Sequence, residues 1–211
     1  MRITKFGHSC FLIEDSGARI LFDPGVFSSG FEDLDQLDAI LITHQHPDHY
    51  VAGNIRGLLD KSAKARVFAD EGSAMLMHKA GIDAKAVRAG DRFEVAGLPV
   101  AVYGKSHETI HPDIPVIPDA GFFVAERFFY PGDAYTVPGV PVELLATPAA
   151  APWLKIADAI DYLRSMKPKV AFPAHDAVLS EHGHALHNAL LSSMGGAGEY
   201  RVLAHGVATE F

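Results

Sequence analysis

The sequence predicts an α/β fold of two sheets with helices packed outside them. Three observations carry this expectation. Strand-like runs dominate the opening residues and again residues 84–131, and each block is followed by alternating strand and helix patterns. The histidines and acids that stand out chemically fall just after strand-like runs, and in open α/β sheets sites form beyond the carboxyl ends of strands.

The first block reads as strands over 2–6, 10–14 and 18–22, broken by Gly7 and Asp15-Ser16-Gly17. Asp23-Pro24-Gly25 ends the third, and Asp23 is read either as a turn residue or as one that orients the loop that follows. Asp38 to Ile42 has the continuous apolar character of a buried parallel strand. A helix is expected over 54–61, with Ile55, Leu58 and Leu59 on one face, then a strand over 66–69 and a helix over 71–80 stopped by Gly81. The second block supplies strands at 85–87, 91–95, 99–103, 121–125 and 127–130. Between them Pro112, Pro115 and Pro118 predict a stiff, irregular loop that shapes the mouth of a site. A helix over 154–166, a strand over 169–172 and a helix over 183–194 follow. Residues 200–204 and 207–211 are expected to close as a hairpin around His205-Gly206. No repeat, low-complexity tract or linker is visible, so residues 1–211 are read as one domain.

Composition narrows the function classes. Hydrophobic residues make up 48% and charged residues 21%, which suits a globular protein with a substantial core. The formal charge of -8 and a pI near 5.8 argue against nucleic-acid backbone binding and favour a small-molecule substrate. Cys10 is the only cysteine, so an intrachain disulfide and a thiolate-rich metal site are excluded, and it is expected to be a small buried hydrophobe. No stretch has the apolar length of a membrane span and no secretory signal is evident, which points to the cytoplasm and leaves oligomeric state open.

The chemistry concentrates in Thr43-His44-Gln45-His46-Pro47-Asp48-His49, where three imidazoles and a carboxylate follow a buried strand. His44 and His46, two apart, point to one face in extended backbone, and neutral imidazole is the commonest protein metal ligand. Pro47 then redirects the chain and swings Asp48 and His49 toward a second position. One loop of this kind serves two cations. A closed ligand set needs more donors after other strands, and His107, Asp133 and His175 stand there. The all-nitrogen-and-oxygen set suits two divalent ions, zinc first and manganese or iron as alternatives.

Gly7-His8-Ser9-Cys10-Phe11, Asp23-Pro24, the His44–His49 loop, His107, Gly132-Asp133-Ala134 and Pro173-Ala174-His175 together resemble the metallo-β-lactamase-fold hydrolase superfamily. The resemblance covers nearly the whole chain and is nearest to the compact branch that includes ascorbate-phosphate lactonase-like proteins. It implies a four-layer αβ/βα sandwich with a dinuclear site in the cleft between the sheets. It also implies that His44, His46 and His107 hold one ion, that Asp48, His49 and His175 hold the other, and that Asp133 bridges them. Two ions a few ångströms apart activate a hydroxide, so the expected activity is hydrolysis of a small ester, lactone or phosphodiester. Asp48 and Asp133 are the expected catalytic residues, Asp48 orienting the nucleophile or receiving a proton, and the acid for the leaving group is left open. His8 and His111 are candidates for contact with substrate or with the ligands; Lys105, Trp153 and Lys155 are weaker ones. His182, His184 and His187 are read as solvent-facing. Two alternatives stand beside the hydrolase: a di-iron redox protein of the same fold, which would need an electron source, and a non-catalytic metal-dependent metabolite-binding protein.

Overall fold

In β2 (Phe11–Asp15) and β3 (Ala18–Phe22), successive residues face opposite sides of a sheet that is covered on both. Phe11, Ile13, Ile20 and Phe22 enter a core between two sheets, while Leu12 and Leu21 enter a second core beneath helices. Double burial is why these strands read as apolar runs and not as alternation. The computed structural model describes residues 1–211 and arranges them in two seven-stranded sheets packed face to face.

The first sheet contains β1 (Arg2–Lys5), β2, β3, β4 (Ala39–Ile42), β5 (Arg66–Ala69) and β6 (Lys85–Ala86), in that order. The second contains β7 (Arg92–Val95), β8 (Leu98–Tyr103), β9 (Gly121–Val124), β10 (Phe128–Tyr130), β11 (Leu144–Pro148), β12 (Val170–Ala174) and β13 (Glu199–Tyr200), numbered from one edge to the other. Helices α1 (Ala52–Lys61) and α2 (Glu71–Lys79) cover the outer face of the first sheet through Ile55, Leu58, Ala74 and Met77. Helices α3 (Ile156–Met166) and α4 (Glu181–Met194) cover the second through Ala159, Ile160, Leu163 and Leu191. The result is the expected four-layer α/β sandwich.

Each sheet begins as an antiparallel meander and ends as a parallel β-α-β-α-β unit, a structural repeat that leaves no trace in the residue pattern. As a result β1, β3, β4 and β5 all end at one edge of the first sheet, and β8, β10, β11 and β12 all end at one edge of the second. Hydrogen bonds from His175 N to His8 O (2.8 Å) and from Ala120 N to Thr43 O (2.9 Å) join the sheets there.

Two expectations are corrected. β11 was not foreseen: all five of its residues are buried, so it shows no alternation, and Thr147-Pro148 imitates a turn. The closing hairpin does not form. β13 pairs parallel with β12, whereas β14 (Ala208–Glu210) pairs antiparallel with β1 in the other sheet. The C-terminal segment is divided between the sheets, β13 and β14 each becoming an edge strand beside β12 and β1. β12 also extends through Pro173, which is tolerated because β13 pairs only with Val170 and Ala171. No helix is long and apolar enough to cross a membrane.

The inter-sheet core is aromatic. Phe22 meets Phe122, Phe128 and Tyr130 edge-on at 6.0, 5.6 and 6.0 Å. Phe22→Ala is expected to cost about 3–5 kcal/mol in urea denaturation. A loss below about 1 kcal/mol would contradict this account of how the sheets are held together.

Candidate metal centre

The loop after β4 is seated on Asp23-Pro24-Gly25. Thr43 donates its N–H and its hydroxyl to Asp23 Oδ1 and Oδ2 at 2.8 and 2.7 Å. Val26 N donates to Pro47 O at 2.9 Å, and Asn54 Nδ2 to Pro24 O at 2.8 Å. At Gly25 a Cβ would overlap the Asp48 carbonyl, so only glycine permits the two loops to lie this close. Beyond Pro47 the chain turns, with His46 O accepting from the backbone of His49 and Tyr50, and this turn sends Asp48 and His49 into the cleft.

The structure brings His44, His46, Asp48, His49, His107, Asp133 and His175 together, along with His8. Their inward atoms form three overlapping groups, His44/His46/His107, His44/His49/Asp133 and His8/Asp48/His49/His175, with separations inside each group of no more than 4.8 Å. Asp133 stands between the others. Its Oδ1 lies 3.3 Å from His49 Nε2, and its Oδ2 lies 2.9 Å from His175 Nε2 and 3.4 Å from His107 Nε2. His46 and Asp48 are half-buried and the remainder are buried.

Four of the imidazoles are held from outside through Nδ1. His49 Nδ1 is 2.7 Å from Asp23 Oδ2, and His44 Nδ1 is 3.1 Å from Asp119 Oδ1. His107 Nδ1 faces Glu108 O at 2.6 Å, and His175 Nδ1 faces Ala150 O at 2.5 Å. A ring nitrogen facing a carbonyl oxygen must carry the proton, so Nε2 of His107 and His175 is left to act as a donor atom toward the cleft. His175 takes this position with φ of +55°, a left-handed backbone that β12 and the loops around it must impose. Buried His49 Nε2, His107 Nε2 and Asp133 Oδ1 have no hydrogen-bond partner. Such atoms are costly to leave unmatched, and divalent cations of the kind that accept imidazole and carboxylate donors would satisfy them, so the donor set fits the implied metal.

His8 plays a different part. Its Nδ1 accepts from Ala177 N at 3.1 Å, so Nε2 carries the proton and donates to Asp48 Oδ2 at 3.2 Å. It steadies the carboxylate and has no lone pair left for a cation. Asp23 is resolved as an orienting residue. Two residues were missed or undervalued. Asp119 is buried, accepts from Asp133 N at 3.1 Å, and packs where any side chain at Gly132 would collide with it. It precedes a strand, so the rule that donors follow strand ends does not reach it. Trp153 was read as a weak substrate contact, yet its Nε1 donates to Asp133 Oδ2 at 2.9 Å.

His111 is not brought to the cluster. Its imidazole is exposed and accepts from Asp113 N, two residues on within its own loop. Lys105 is exposed, and Lys155 is the N-terminal cap of α3. His182 is exposed, but His184 and His187 are half-buried, and His187 Nδ1 bonds Ala149 O at 2.7 Å because α4 packs against the loop after β11. Cys10 is buried, as expected.

Burial and charge divide the titrations. Burial pushes His44 well below its ordinary range, with the His49 charge adding to it, and burial takes His8 down to about 4. Burial opposes charge on His49 and His175, but Asp133, with Asp23 for His49 and Asp48 for His175, outweighs it: His49 is raised strongly and His175 is pushed up to about 9. Asp48 and Asp133 are likewise held well below the carboxylate range despite burial, Asp48 by hydrogen bonds from His175 and His8, Asp133 by the His175 and His49 charges. Asp119 goes the other way, raised by burial and by Asp133. The acids therefore hold protons on two imidazoles in the space where a cation would sit.

Residues 2–175 match the profile of the family described as "Beta-lactamase superfamily domain". Protein Rv0786c of Mycobacterium tuberculosis is 44% identical over 199 residues, covering 92% of each chain. A UPF0173 metal-dependent hydrolase of Carboxydothermus hydrogenoformans is 25% identical over 193 residues, covering 83% of this chain and 84% of that one. Among solved structures, Igni18, a novel metallo hydrolase from Ignicoccus hospitalis KIN4/I, superimposes with a TM-score of 0.76 at 21% identity, covering 100% of this chain and 98% of its own. That last likeness is one of fold.

In the metal-stripped protein the histidine titrations contribute an acid limb to stability below pH 6.5, the ordinary histidine value, and an alkaline limb above it. His8 and His44 have depressed folded values, so their contribution is complete above 6.5 and is lost as pH falls, for His8 through about 4. His175 has a raised folded value, so its contribution is complete below 6.5 and is lost as pH rises through about 9. Denaturation in the presence of a chelator across this range checks both limbs, and His175→Gln should flatten the alkaline one.

Proposed function

Because the chain belongs to the Beta-lactamase superfamily domain family, we propose that it is a metal-dependent hydrolase of small esters, lactones or phosphodiesters that uses two divalent ions. His44, His46 and His107 would hold one ion, Asp48, His49 and His175 the other, and Asp133 would lie between them. The observation that carries this reading is the convergence of seven donors from four strand ends, with buried His49 Nε2, His107 Nε2 and Asp133 Oδ1 unmatched by any hydrogen bond. Zinc is the first choice because every donor is a histidine nitrogen or a carboxylate oxygen. A lone buried cysteine suits a cytoplasmic setting.

When bound, such ions act as Lewis acids on the bond under attack and lower the pKa of a nucleophilic water. The chain's own residues do the positioning. Asp23 and Asp119 fix the His49 and His44 rings, and His8 steadies Asp48, whose contacts with His8, His49 and His175 all fall on Oδ2. Asp48 is ionised and at the open side of the cluster, with Oδ1 outside these contacts, which suits it to orient the nucleophile by accepting a hydrogen bond; held so far below its ordinary range, it is a weak base. Beside His46 and His107, a small recess is walled by Ile110, Ile114, Pro115, Val116 and Ile117, with Glu108 its only charged residue.

Metal analysis after zinc supplementation should find about two equivalents per chain. Turnover on a panel of esters, lactones and phosphodiesters should fall on the order of 100-fold or more in His46→Ala and in Asp133→Ala. Because His49 and His175 hold protons that an ion must displace, ion uptake at neutral pH should release protons. Affinity should then rise with pH up to about 9. Calorimetry in two buffers of different ionisation enthalpy reads this directly. Less than one equivalent of metal, or activity unchanged in both variants, would falsify the proposal.

A further inference from the structure

We infer that Trp153, the only tryptophan in the chain, is a positioning residue for the Asp133 carboxylate and sets how tightly the centre holds its cations. The inference rests on the metal-dependent reading above. An indole N–H can only donate; it has no lone pair for a metal and does not titrate. Placed 2.9 Å from Asp133 Oδ2, it is a fixed donor aimed at the one carboxylate that touches both histidine groups.

The surroundings hold the indole in place. Trp153 lies in the loop that follows β11, inside a turn closed by Leu154 N donating to Ala151 O at 3.1 Å. Its ring packs edge-on against Tyr135 at 5.2 Å, and Tyr135 in turn lies 5.2 Å from Tyr162 of α3. The same loop offers Ala150 O to His175 Nδ1, so a single segment orients a ligand from another strand and the acid between the clusters. His107 completes the enclosure, with its ring 6.1 Å from the indole.

Asp133 is fixed at two points. Asp119 Oδ1 receives its backbone N–H, which sets where the side chain starts, and Trp153 sets where it ends. With Oδ2 taken by the indole, Oδ1 stays aimed at His49 with no hydrogen-bond partner. Without the N–H the carboxylate can rotate and give both oxygens to one side of the cluster. Outer contacts of this kind typically change metal affinity about 10- to 100-fold.

The test uses the full chain and has two readouts besides turnover. Metal-stripped protein is titrated with Zn²⁺ while tryptophan emission and calorimetric heat are followed together; the emission should change in step with ion uptake. Trp153→Phe keeps an aromatic ring against Tyr135 and removes the N–H together with the rest of the five-membered ring. It should unfold at the same denaturant concentration when metal-free, bind Zn²⁺ about 10- to 100-fold more weakly, and give an altered visible spectrum when loaded with Co²⁺. If the variant fails to fold, the wild-type emission decides: a signal that does not respond while ions bind would overturn the inference. Wild-type affinity and an unchanged Co²⁺ spectrum in a folded Trp153→Phe would overturn it too, leaving the ring as packing. Wild-type protein that takes up no ion would instead remove the metal-dependent reading, and this inference with it.

Discussion

One buried carboxylate ties the loop that holds most of the donors to the strand beside it. Asp23 has no exposed surface and accepts the Thr43 N–H, the Thr43 hydroxyl and the His49 ring N–H. An acid buried so deeply is stable only if its oxygens are matched, and here the matching groups are the ones that must be fixed for His44 and His49 to face inward. The Asp23 backbone has φ of +42°, a left-handed conformation that Asp tolerates better than most residues with a side chain, and the hydrogen bonds around it hold it there. Gly25, two residues on, removes the last obstacle between the loops. Asp119 does for His44 what Asp23 does for His49, from the opposite sheet.

The centre is thus a polar inclusion between apolar layers. Four acids, Asp23, Asp48, Asp119 and Asp133, surround its imidazoles; the field of Asp133, with Asp23 for His49 and Asp48 for His175, raises those two rings, while burial lowers His44 and His8. That split is informative. Where desolvation alone governs, the ring stays neutral; where carboxylates govern, the ring holds a proton. The two raised histidines both belong to the His8/Asp48/His49/His175 group, and both lie close to Asp133 as well as Asp48, so charge concentrates on that side of the cluster.

The sheets and most helices were legible because strand ends, glycines and apolar spacing agree with one another along the chain. The His44–His49 loop was legible because its spacing is dense and local. His107, Asp133 and His175 were legible only as residues after strands, and that same rule also hid Asp119, which comes before one. β11 was lost because a strand buried on both faces has no period to detect, and with it went the loop whose Ala150 carbonyl and Trp153 indole reach the centre. The C-terminal strands were assigned to each other because nothing local says that two adjacent segments serve different sheets. His111 has the same residue type and neighbourhood as His107, and only the turn through Ile114 sends its ring outward.

Because the donors come from both sheets, the centre exists only if the sheets keep their spacing at this edge. The aromatic core around Phe22 sets that spacing in the interior, and Lys5 sets it at the rim. Lys5 ends β1 and is buried, yet its ammonium crosses to the other sheet, donating to Pro173 O at 2.8 Å and Asp176 Oδ2 at 2.7 Å on either side of His175. Burial lowers the Lys5 pKa and Asp176 opposes the shift, the signature of an ion pair whose desolvation cancels much of its attraction. Such a pair contributes little net stability, but it specifies position: only one offset between β1 and β12 lets a single ammonium meet both acceptors. The left-handed backbone of His175 lies between those two acceptors, so the same offset that satisfies Lys5 also turns this imidazole into the cleft.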